Sequence, residues 1–219
     1  EATGGIVITA SHNPIEWNGL KFIRSDGIFL FPKECSLLYN SAKSKNLPKS
    51  KKRGMVLYDN NSVQKHIIHQ ISLSYININK IRDRKFKVVI DACNGAASEA
   101  LPEMLQALGC DVIKVNCNFN KPFPRGTEPL PENLDMLSEK VLSSKADIGF
   151  ATDPDGDRLA VVSEKGIPLG EEYSLLLCAK SLLESKKNIG NTFVVNLSSS
   201  LALENFYSKQ IPKKCLKKL

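Results

Sequence analysis

The sequence predicts an α/β fold in which mixed sheets, built from βαβ units, are sandwiched by helices. The clearest sign is the order strand, helix, strand within residues 86–116, from the apolar run FKVVIDA to CDVIKVN. Two strands joined by a helix form a βαβ unit, whose strands are parallel. Helical and apolar segments continue to alternate up to residue 197, without a repeat of fixed period.

The N-terminal part predicts a short buried strand, a hairpin and a helix. Residues 5–10 form the strand, and GLKFI (19–23) and GIFL (27–30) flank an Asp-Gly turn of the kind that joins hairpin strands. A helical stretch begins at about Pro32 and leads into a linker, rich in lysine and serine, that ends at Arg53. Such a linker indicates a domain boundary.

The later elements follow from helical spacing, caps and apolar runs. Asn-Ser opens the helix NSVQKHIIHQISLSYI, and EALPEMLQALG ends on a C-terminal glycine. The predicted elements are helices at 61–76, 99–109, 134–145 and 171–185, strands at 86–92, 110–116, 146–151 and 191–197, a strand and turn at 158–170, and a proline-rich loop at 119–133.

The composition predicts a globular, cytoplasmic protein. Hydrophobic residues make up 42% and charged residues 24% of the 219, and no run approaches the ~18 apolar residues that a membrane span needs. The N-terminus EATGGIVITA lacks the basic region of a signal peptide and begins as if cut from something longer. The six cysteines form no CxxC pair and no zinc spacing, which predicts reduced thiols.

The net charge of +7 does not by itself indicate a nucleic-acid partner. Much of it lies in KSKNLPKSKKR, which contains the linker 45–53 and the two residues before it, and in KKCLKK near the end. Neither segment has interleaved aromatic residues or a nucleic-acid motif, so we interpret them as a solvated linker and a tail. We expect neither nucleic acid nor a membrane as a partner.

Two other patterns point to ligands but are incomplete. His66 and His69 are three residues apart on a predicted helix, yet a zinc site needs further ligands. The turn CNGAAS follows a strand and opens a helix, but it has one glycine where a dinucleotide fingerprint has three. Its Asn94-Gly95 pair is better explained by the chemistry of tight turns.

The segment ATDPDGDR predicts a metal site. Asp153, Asp155 and Asp157 alternate directly after the strand DIGFA, and ligands of open parallel sheets bind beyond the carboxyl ends of strands. Three crowded carboxylates repel one another, and a hard divalent cation with oxygen ligands removes that conflict. A calcium loop is excluded because its required glycine is replaced by Arg158. The three carboxylates fit Mg²⁺ that takes at least one further oxygen ligand from a phosphate.

The segment TASHNP, which ends the first strand, holds a candidate phosphorylation site. Ser11 lacks a GxSxG context and has no Asp–His relay near it in sequence, so acyl transfer is poorly supported. A phosphorylated Ser11 would carry a charge of about −1.5 to −2 and would offer oxygens to a metal.

Together, TASHNP with the following NGLK, EPLPENL (128–134) and DPDGDR resemble the α-D-phosphohexomutase family, which includes phosphoglucomutase and phosphomannomutase. The resemblance covers nearly the whole chain and fades after about Tyr207. It implies a four-domain architecture around one cleft. In this chain it assigns residues 1–54 to the end of domain 1 with the linker, 55–170 to domain 2 and 171–219 to an incomplete start of domain 3.

The resemblance implies that Ser11 is phosphorylated and that the three aspartates hold Mg²⁺ together with a phosphoserine oxygen. Phosphoserine would pass its phosphoryl group to a hexose monophosphate, and the resulting hexose 1,6-bisphosphate would turn over and return its other phosphate. Lys21 matches a lysine beside the transferring phosphate. His12 matches a residue that contacts the active site or orients the backbone, and Arg158 is placed to fork onto phosphate oxygens.

Two alternatives stay open. The enzyme could be a phosphoglucosamine mutase, which shares both loops, although its usual Ser-Ala-Ser and Cys-Gly-Ser-Thr patterns are missing here. The chain could also be an inactive, truncated relative that only binds Mg²⁺ or a phosphosugar, because the family's sugar-recognition loop and its loop for the non-transferred phosphate are not found in it. The hexose and the oligomeric state stay undetermined.

Overall fold

The computed structural model describes residues 2–44, 54–170, 172–184, 192–195, 200–210 and 215–218. The chain divides into two compact units, Glu1–Ser62 and Val63–Leu219. The predicted linker at 45–53 lies outside the described residues. The three domain boundaries given above stay predictions.

In its described residues, 2–44 and 54–62, the first unit contains a two-stranded antiparallel sheet, formed by β1 (Gly4–Ile8) and β2 (Leu20–Arg24), and the helix α1 (Pro32–Ser44). In the sheet Gly4 lies opposite Arg24 and Ile8 opposite Leu20. The segment GIFL pairs with β2 across the predicted Asp-Gly turn over a short length, because an antiparallel bridge joins Ile23 to Phe29 and the Arg24 backbone N–H donates to the Ile28 carbonyl at 2.8 Å.

The second unit alternates helices and strands. No described helix has both the length and the apolar character needed to cross a membrane. The helices are α2 (Ser62–Ile71), α3 (Ile78–Arg84), α4 (Ala97–Ala107), α5 (Asp135–Ser144), α6 (Glu172–Glu184) and α7 (Leu201–Gln210), and the strands are β3 (Lys87–Asp91), β4 (Asp111–Val115), β5 (Ile148–Thr152), β6 (Leu159–Ser163), β7 (Thr192–Val195) and β8 (Cys215–Lys218).

The main sheet has the order β4-β3-β5-β6. Strand β3 pairs in parallel with both β4 and β5, whereas β6 runs antiparallel to β5. The carboxyl ends of the three parallel strands therefore meet at one edge. The loops that follow them, including the predicted metal loop (residues 153–158, the name used below), start from that edge.

The core has two layers because successive strand residues face opposite sides of the sheet. Val88 and Ile90 pack with Leu105 of α4 on one face, and Val89 packs with Leu137 of α5 on the other. Helices thus cover both faces of a mixed sheet, and the predicted α/β fold class is confirmed.

Three segments differ from the sequence-based expectation. The helix predicted at 61–76 ends at Ile71, and a separate helix, α3, begins after Asn77, whose side chain accepts a hydrogen bond from the Lys80 backbone N–H at 3.0 Å. The charged segment near the C-terminus, interpreted as a tail, contains strand β8, which pairs in parallel with β7. Backbone pairing there does not depend on side-chain charge.

Candidate active site

The three predicted metal ligands lie together. Asp153, Asp155 and Asp157 each place one carboxylate oxygen within 4.8 Å of the oxygens of the other two. Asp153 is buried, Asp155 is half-buried and Asp157 is exposed, so the cluster opens from the protein interior to solvent. Three anionic oxygens in that space fit the ligand set of a hard divalent cation.

Asp153 has the most unusual environment. Its Oδ1 accepts a hydrogen bond from the Arg158 backbone N–H at 3.1 Å, while its Oδ2 is buried without a hydrogen-bond partner among the described residues. Burial raises the pKa of Asp153 to about 6; the Arg158 backbone N–H lowers it, and the neighbouring Asp155 and Asp157 raise it. A buried anionic oxygen without a donor is costly unless a cation binds there. The residues present therefore fit a divalent metal.

The turn that follows β3 braces the metal loop. The Ala96 backbone N–H donates to the Pro154 carbonyl at 2.7 Å. Gly95 packs so tightly on the same residue that an added Cβ would lie 2.2 Å from that carbonyl oxygen. The glycine of CNGAAS thus serves close packing against the metal loop, in addition to the tight turn that the sequence predicted.

We expect Gly95→Ala to destabilise the second unit by about 2–4 kcal/mol, because overpacking against backbone atoms forces the metal loop to move. Urea unfolding followed by circular dichroism measures this loss. Gly54→Ala is the control, since an added Cβ there meets no atom within 4 Å. Equal stabilities of the two variants would contradict the close packing of Gly95.

Cys93 and Asn94 precede this glycine in a strained turn. Their φ angles are 51° and 54°, a left-handed conformation that is uncommon for residues other than glycine. Cys93 is completely buried, and its burial raises the pKa of the thiol to about 11; the Arg125 guanidinium lowers it, and Asp91 and Asp153 raise it. Cys93 is therefore a neutral packing residue rather than a nucleophile.

We expect alkylation by iodoacetamide at pH 8 to modify Cys178 and to spare Cys93 in the folded protein. Both are free cysteines, but Cys178 is exposed, and only the thiolate reacts. Peptide mass spectrometry after timed labelling measures the difference, and labelling in urea is the control. Equal labelling rates in the folded protein would contradict the buried, protonated state of Cys93.

Arg158, the predicted phosphate ligand, is held by a residue that the sequence analysis did not assign a role. Its Nη1 lies 2.6 Å from Glu128 Oε1, and both side chains are about one-third exposed. Glu128 belongs to the segment EPLPENL, which contributes to the family resemblance but carries no predicted site residue. The loop that contains it therefore reaches the metal loop.

A second ion pair that no sequence motif indicated joins Arg125 to Asp91, next to the start of the metal loop. Arg125 Nε is 3.1 Å from Asp91 Oδ2, and the two side chains are 9% and 1% exposed. Asp91 also accepts hydrogen bonds from the Cys93 backbone N–H and the Asn116 side-chain amide, each at 2.9 Å. Asp91 ends a strand that the sequence predicted, but nothing local in the sequence identifies its partners.

In the first unit, Ser11 adopts a left-handed conformation with φ 56°. Its backbone N–H donates to the Thr9 hydroxyl at 2.9 Å, and its Oγ lies 3.3 Å from His12 Nδ1. Serine rarely adopts this backbone conformation, and such strain concentrates at functional positions. His12 is thus positioned to exchange a hydrogen bond with the Ser11 hydroxyl.

Lys21 lies on β2, opposite Val7 of β1 and half-buried. The Thr9 backbone N–H donates to the Gly19 carbonyl at 3.0 Å, which joins the start of the serine loop (TASHNP, residues 9–14) to the start of β2. The same small sheet therefore carries both Ser11 and Lys21. Their relation to the three aspartates, which belong to the other unit, stays a prediction.

Comparison with known proteins identifies the family. Residues 64–166 match the model "Phosphoglucomutase/phosphomannomutase, alpha/beta/alpha domain II", and residues 1–49 match domain I of the same set. A probable phosphoglucosamine mutase of Methanopyrus kandleri is 33% identical over 91% of this chain and 43% of its own length. A phosphoglucomutase/phosphomannomutase of Thermococcus kodakarensis is 33% identical over 93% of this chain and 44% of its own.

Comparison with a crystal structure points to the same family. A phosphoglucomutase/phosphomannomutase family protein of Burkholderia thailandensis superposes with a TM-score of 0.74 at 26% identity, over 99% of this chain and 44% of the other. The fold and the acidic loop thus define a phosphohexomutase-type α/β protein. The chain belongs to the phosphoglucomutase/phosphomannomutase family, and it spans less than half the length of the relatives it matches.

Proposed function

We propose that this chain carries the serine loop and the metal loop of a phosphohexomutase. The protein would interconvert hexose 1-phosphate and hexose 6-phosphate, of glucose and/or mannose, through phosphoserine and a hexose 1,6-bisphosphate. The observation that carries the proposal is the cluster of three aspartates with one buried, unpartnered oxygen on Asp153. The family membership and the order of the two loops along the chain support it.

Ser11 is the proposed acceptor and donor of the phosphoryl group. When the bisphosphate transfers a phosphoryl group to Ser11 Oγ, the bond between phosphorus and the sugar oxygen breaks and the serine proton passes to that oxygen. The product is a hexose monophosphate. His12, with Nδ1 at 3.3 Å from Ser11 Oγ, orients the hydroxyl for this step. Lys21 is the proposed acid or base, on the same small sheet.

Asp153, Asp155 and Asp157 are the proposed ligands of Mg²⁺, with phosphorylated Ser11 as a further ligand. The bound ion would neutralise the negative charge that spreads over the phosphoryl oxygens during transfer. The protein's own part is to hold three carboxylates together although they repel one another. Arg158, at the end of the metal loop, binds phosphate oxygens in this proposal and so neutralises further charge.

The direct test is phosphoryl transfer to Ser11 in a protein that carries this chain together with the sugar-recognition loops. Incubation with glucose 1,6-bisphosphate and Mg²⁺ is expected to phosphorylate Ser11, which peptide mass spectrometry locates. Ser25→Ala, which removes an exposed serine after β2, is the control and should be phosphorylated normally. Phosphate on another residue, or none on Ser11 under conditions that saturate the metal loop, would overturn the assignment.

A phosphoglucosamine mutase is the second candidate. The Methanopyrus kandleri relative bears that name and is as similar to this chain as the Thermococcus kodakarensis relative. Turnover of glucose, mannose and glucosamine 1-phosphates by the protein separates the two candidates.

The proposal that the 219 residues alone are slow or inert, because the sugar-recognition loops are missing from them, is tested by the same assay. We also propose a cytoplasmic location and no nucleic-acid partner.

We expect Glu128→Gln to raise the affinity for inorganic phosphate by about threefold, because the substitution removes the charge that competes with phosphate for Arg158. Stability should change by at most about 1 kcal/mol, since a partly exposed ion pair contributes little. Isothermal titration with phosphate measures the affinity. Glu132→Gln, an exposed change in the same loop, is the control. Equal affinity in both variants would remove Arg158 from the proposed phosphate site.

A further inference from the structure

We propose that Arg125 is a positioning residue for the metal loop. It would fix the carbonyl group from which the loop starts, and in this way set where Asp153 presents its unpartnered oxygen. The inference deepens the proposed function and rests on it for the presence of a metal. Arg125 belongs to none of the sequence motifs described above.

The contacts of Arg125 join two strand ends. Its Nε lies 3.1 Å from Asp91 Oδ2, at the end of β3. Its Nη2 donates to the Thr152 carbonyl at 2.7 Å, at the end of β5. Its Nη1 donates to the Gly126 carbonyl at 3.0 Å, within the proline-rich loop. One planar group therefore fixes the ends of two parallel strands and the loop that covers them.

The anchor of Arg125 is itself rigid. Asp91 has a buried side chain, and each of its oxygens accepts a hydrogen bond, from the Cys93 backbone N–H and from the Asn116 amide. A carboxylate held on both oxygens has little freedom to rotate. Because Arg125 is only 9% exposed, its guanidinium also has few alternative partners in solvent. The restrained Asp91 carboxylate and the burial of Arg125 together hold the guanidinium in place for its hydrogen bond to the Thr152 carbonyl.

The consequence falls on Asp153. It is the residue directly after Thr152, and its Oδ1 is fixed by the Arg158 backbone N–H at the other end of the loop. With the preceding carbonyl and one carboxylate oxygen both held, the direction of Oδ2 is determined. Outer residues that orient metal ligands in this way typically change metal affinity by 10–100-fold when they are removed.

Charge explains why the pairing of Arg125 matters. An unpaired guanidinium below a cluster of carboxylates would lower their attraction for a cation. The Asp91 carboxylate at 3.1 Å compensates the guanidinium charge. Lysine cannot replace it, because an ammonium group lacks the planar fork that bonds the Thr152 and Gly126 carbonyls at fixed angles while its charge faces the Asp91 carboxylate.

The test uses the full chain with Arg125→Lys and Arg125→Met. Arg82→Met is the control, because Arg82 also donates to a carbonyl, that of Ala107 at 2.8 Å, but away from the metal loop. We measure hydrogen exchange of the amides in residues 153–158 without metal, and Mn²⁺ affinity by electron paramagnetic resonance. Both Arg125 variants should exchange faster in this loop and bind Mn²⁺ about tenfold more weakly, and the control should do neither.

The outcomes separate the two proposals. Wild-type exchange and wild-type affinity in Arg125→Lys would overturn the positioning role, and so would faster exchange with unchanged affinity. If Arg125→Met does not fold, the lysine variant still decides, because it keeps a positive partner for Asp91. If the wild-type chain does not bind Mn²⁺, or if Asp153→Asn binds it equally well, the proposed metal site fails, and the positioning role fails with it.

Discussion

Asp153→Asn should make the metal-free protein more stable and abolish its stabilisation by Mg²⁺. The raised pKa of about 6 means that the ionised Asp153 side chain is disfavoured in the folded protein. The asparagine carbonyl can still accept the Arg158 N–H, and the charge repulsion by Asp155 and Asp157 disappears. We expect the free energy of unfolding to rise by about 1–3 kcal/mol without metal.

Thermal unfolding with and without Mg²⁺ tests both expectations, the higher stability without metal and the loss of stabilisation by Mg²⁺. The wild-type melting temperature should rise with Mg²⁺ concentration, because a ligand that binds only the folded state stabilises it by mass action. The variant should start higher and show no rise. Asp147→Asn is the matched control: its carboxylate accepts the Lys87 backbone N–H at 2.8 Å, far from the carboxyl edge of the sheet. A variant that is both less stable and still stabilised by Mg²⁺ would contradict the role of Asp153.

The raised pKa of Asp153 also predicts how the stability of the metal-free protein changes with pH. A carboxyl group whose pKa is raised on folding binds its proton more tightly in the folded state. The metal-free protein should therefore gain stability from Asp153 as the pH falls through about 6, and the gain should be complete below the ordinary pKa of an aspartate. Affinity for Mg²⁺ should change in the opposite direction, because the proton competes with the ion. Urea unfolding from pH 7.5 to 4.5 tests this, and the dependence should be absent in Asp153→Asn.

The parts that the sequence predicted well depend on local signals. The strand at Lys87–Asp91, its helix and the following strand are set by an apolar run, a helical pattern and a glycine end, all within one short stretch. The acidic loop was equally visible, because its three aspartates alternate within five residues. Close spacing in the chain guarantees closeness in space, so the cluster required no knowledge of the sheet.

The supporting residues were missed because their partners are distant in the chain. Arg125 is 27 residues from Thr152, and Arg158 is 30 residues from Glu128. Those contacts exist only because β3 and β5 pair in parallel and bring their carboxyl ends together. An arginine in a proline-rich loop has no local sign that separates a buried clamp from a solvated side chain.

Two elements of the fold were predicted incompletely, because the local pattern does not show how far an element extends. GIFL pairs with β2 as the Asp-Gly turn predicts, but Phe29 is 61% exposed, and the pairing consists of one bridge with backbone hydrogen bonds on either side of it. The segment Ile78–Arg84 has only Ile78 and Ile81, three residues apart and half-buried, as an apolar face, which is too short a pattern to indicate a helix, yet the Asn77 cap is sufficient to start one. Caps deserve more weight than apolar periodicity in such short exposed helices.

Ser11→Ala should abolish phosphoryl transfer, since it removes the only oxygen that carries the group in the proposed cycle. We expect turnover, in a protein that has the sugar-recognition loops, to fall by roughly 10³-fold or more, as for other enzymes that lose a covalent nucleophile. The measurement is the conversion of glucose 1-phosphate to glucose 6-phosphate with Mg²⁺ and glucose 1,6-bisphosphate. Ser25→Ala should keep normal turnover, and normal turnover in Ser11→Ala would refute the mechanism.

The left-handed backbone of Ser11 adds a second variant that separates chemistry from folding. Glycine adopts φ near 56° without strain, so Ser11→Gly should stabilise the first unit by about 1 kcal/mol while transfer is still lost. Ser11→Ala keeps the strain and should not stabilise. A stable, inactive glycine variant would mean that the strain at this position is retained for the hydroxyl, just as the charge repulsion at Asp153 is retained for the metal. If the glycine variant is less stable than wild type, the loop conformation has another cause, and the hydrogen bond between Ser11 Oγ and His12 Nδ1 is the first candidate.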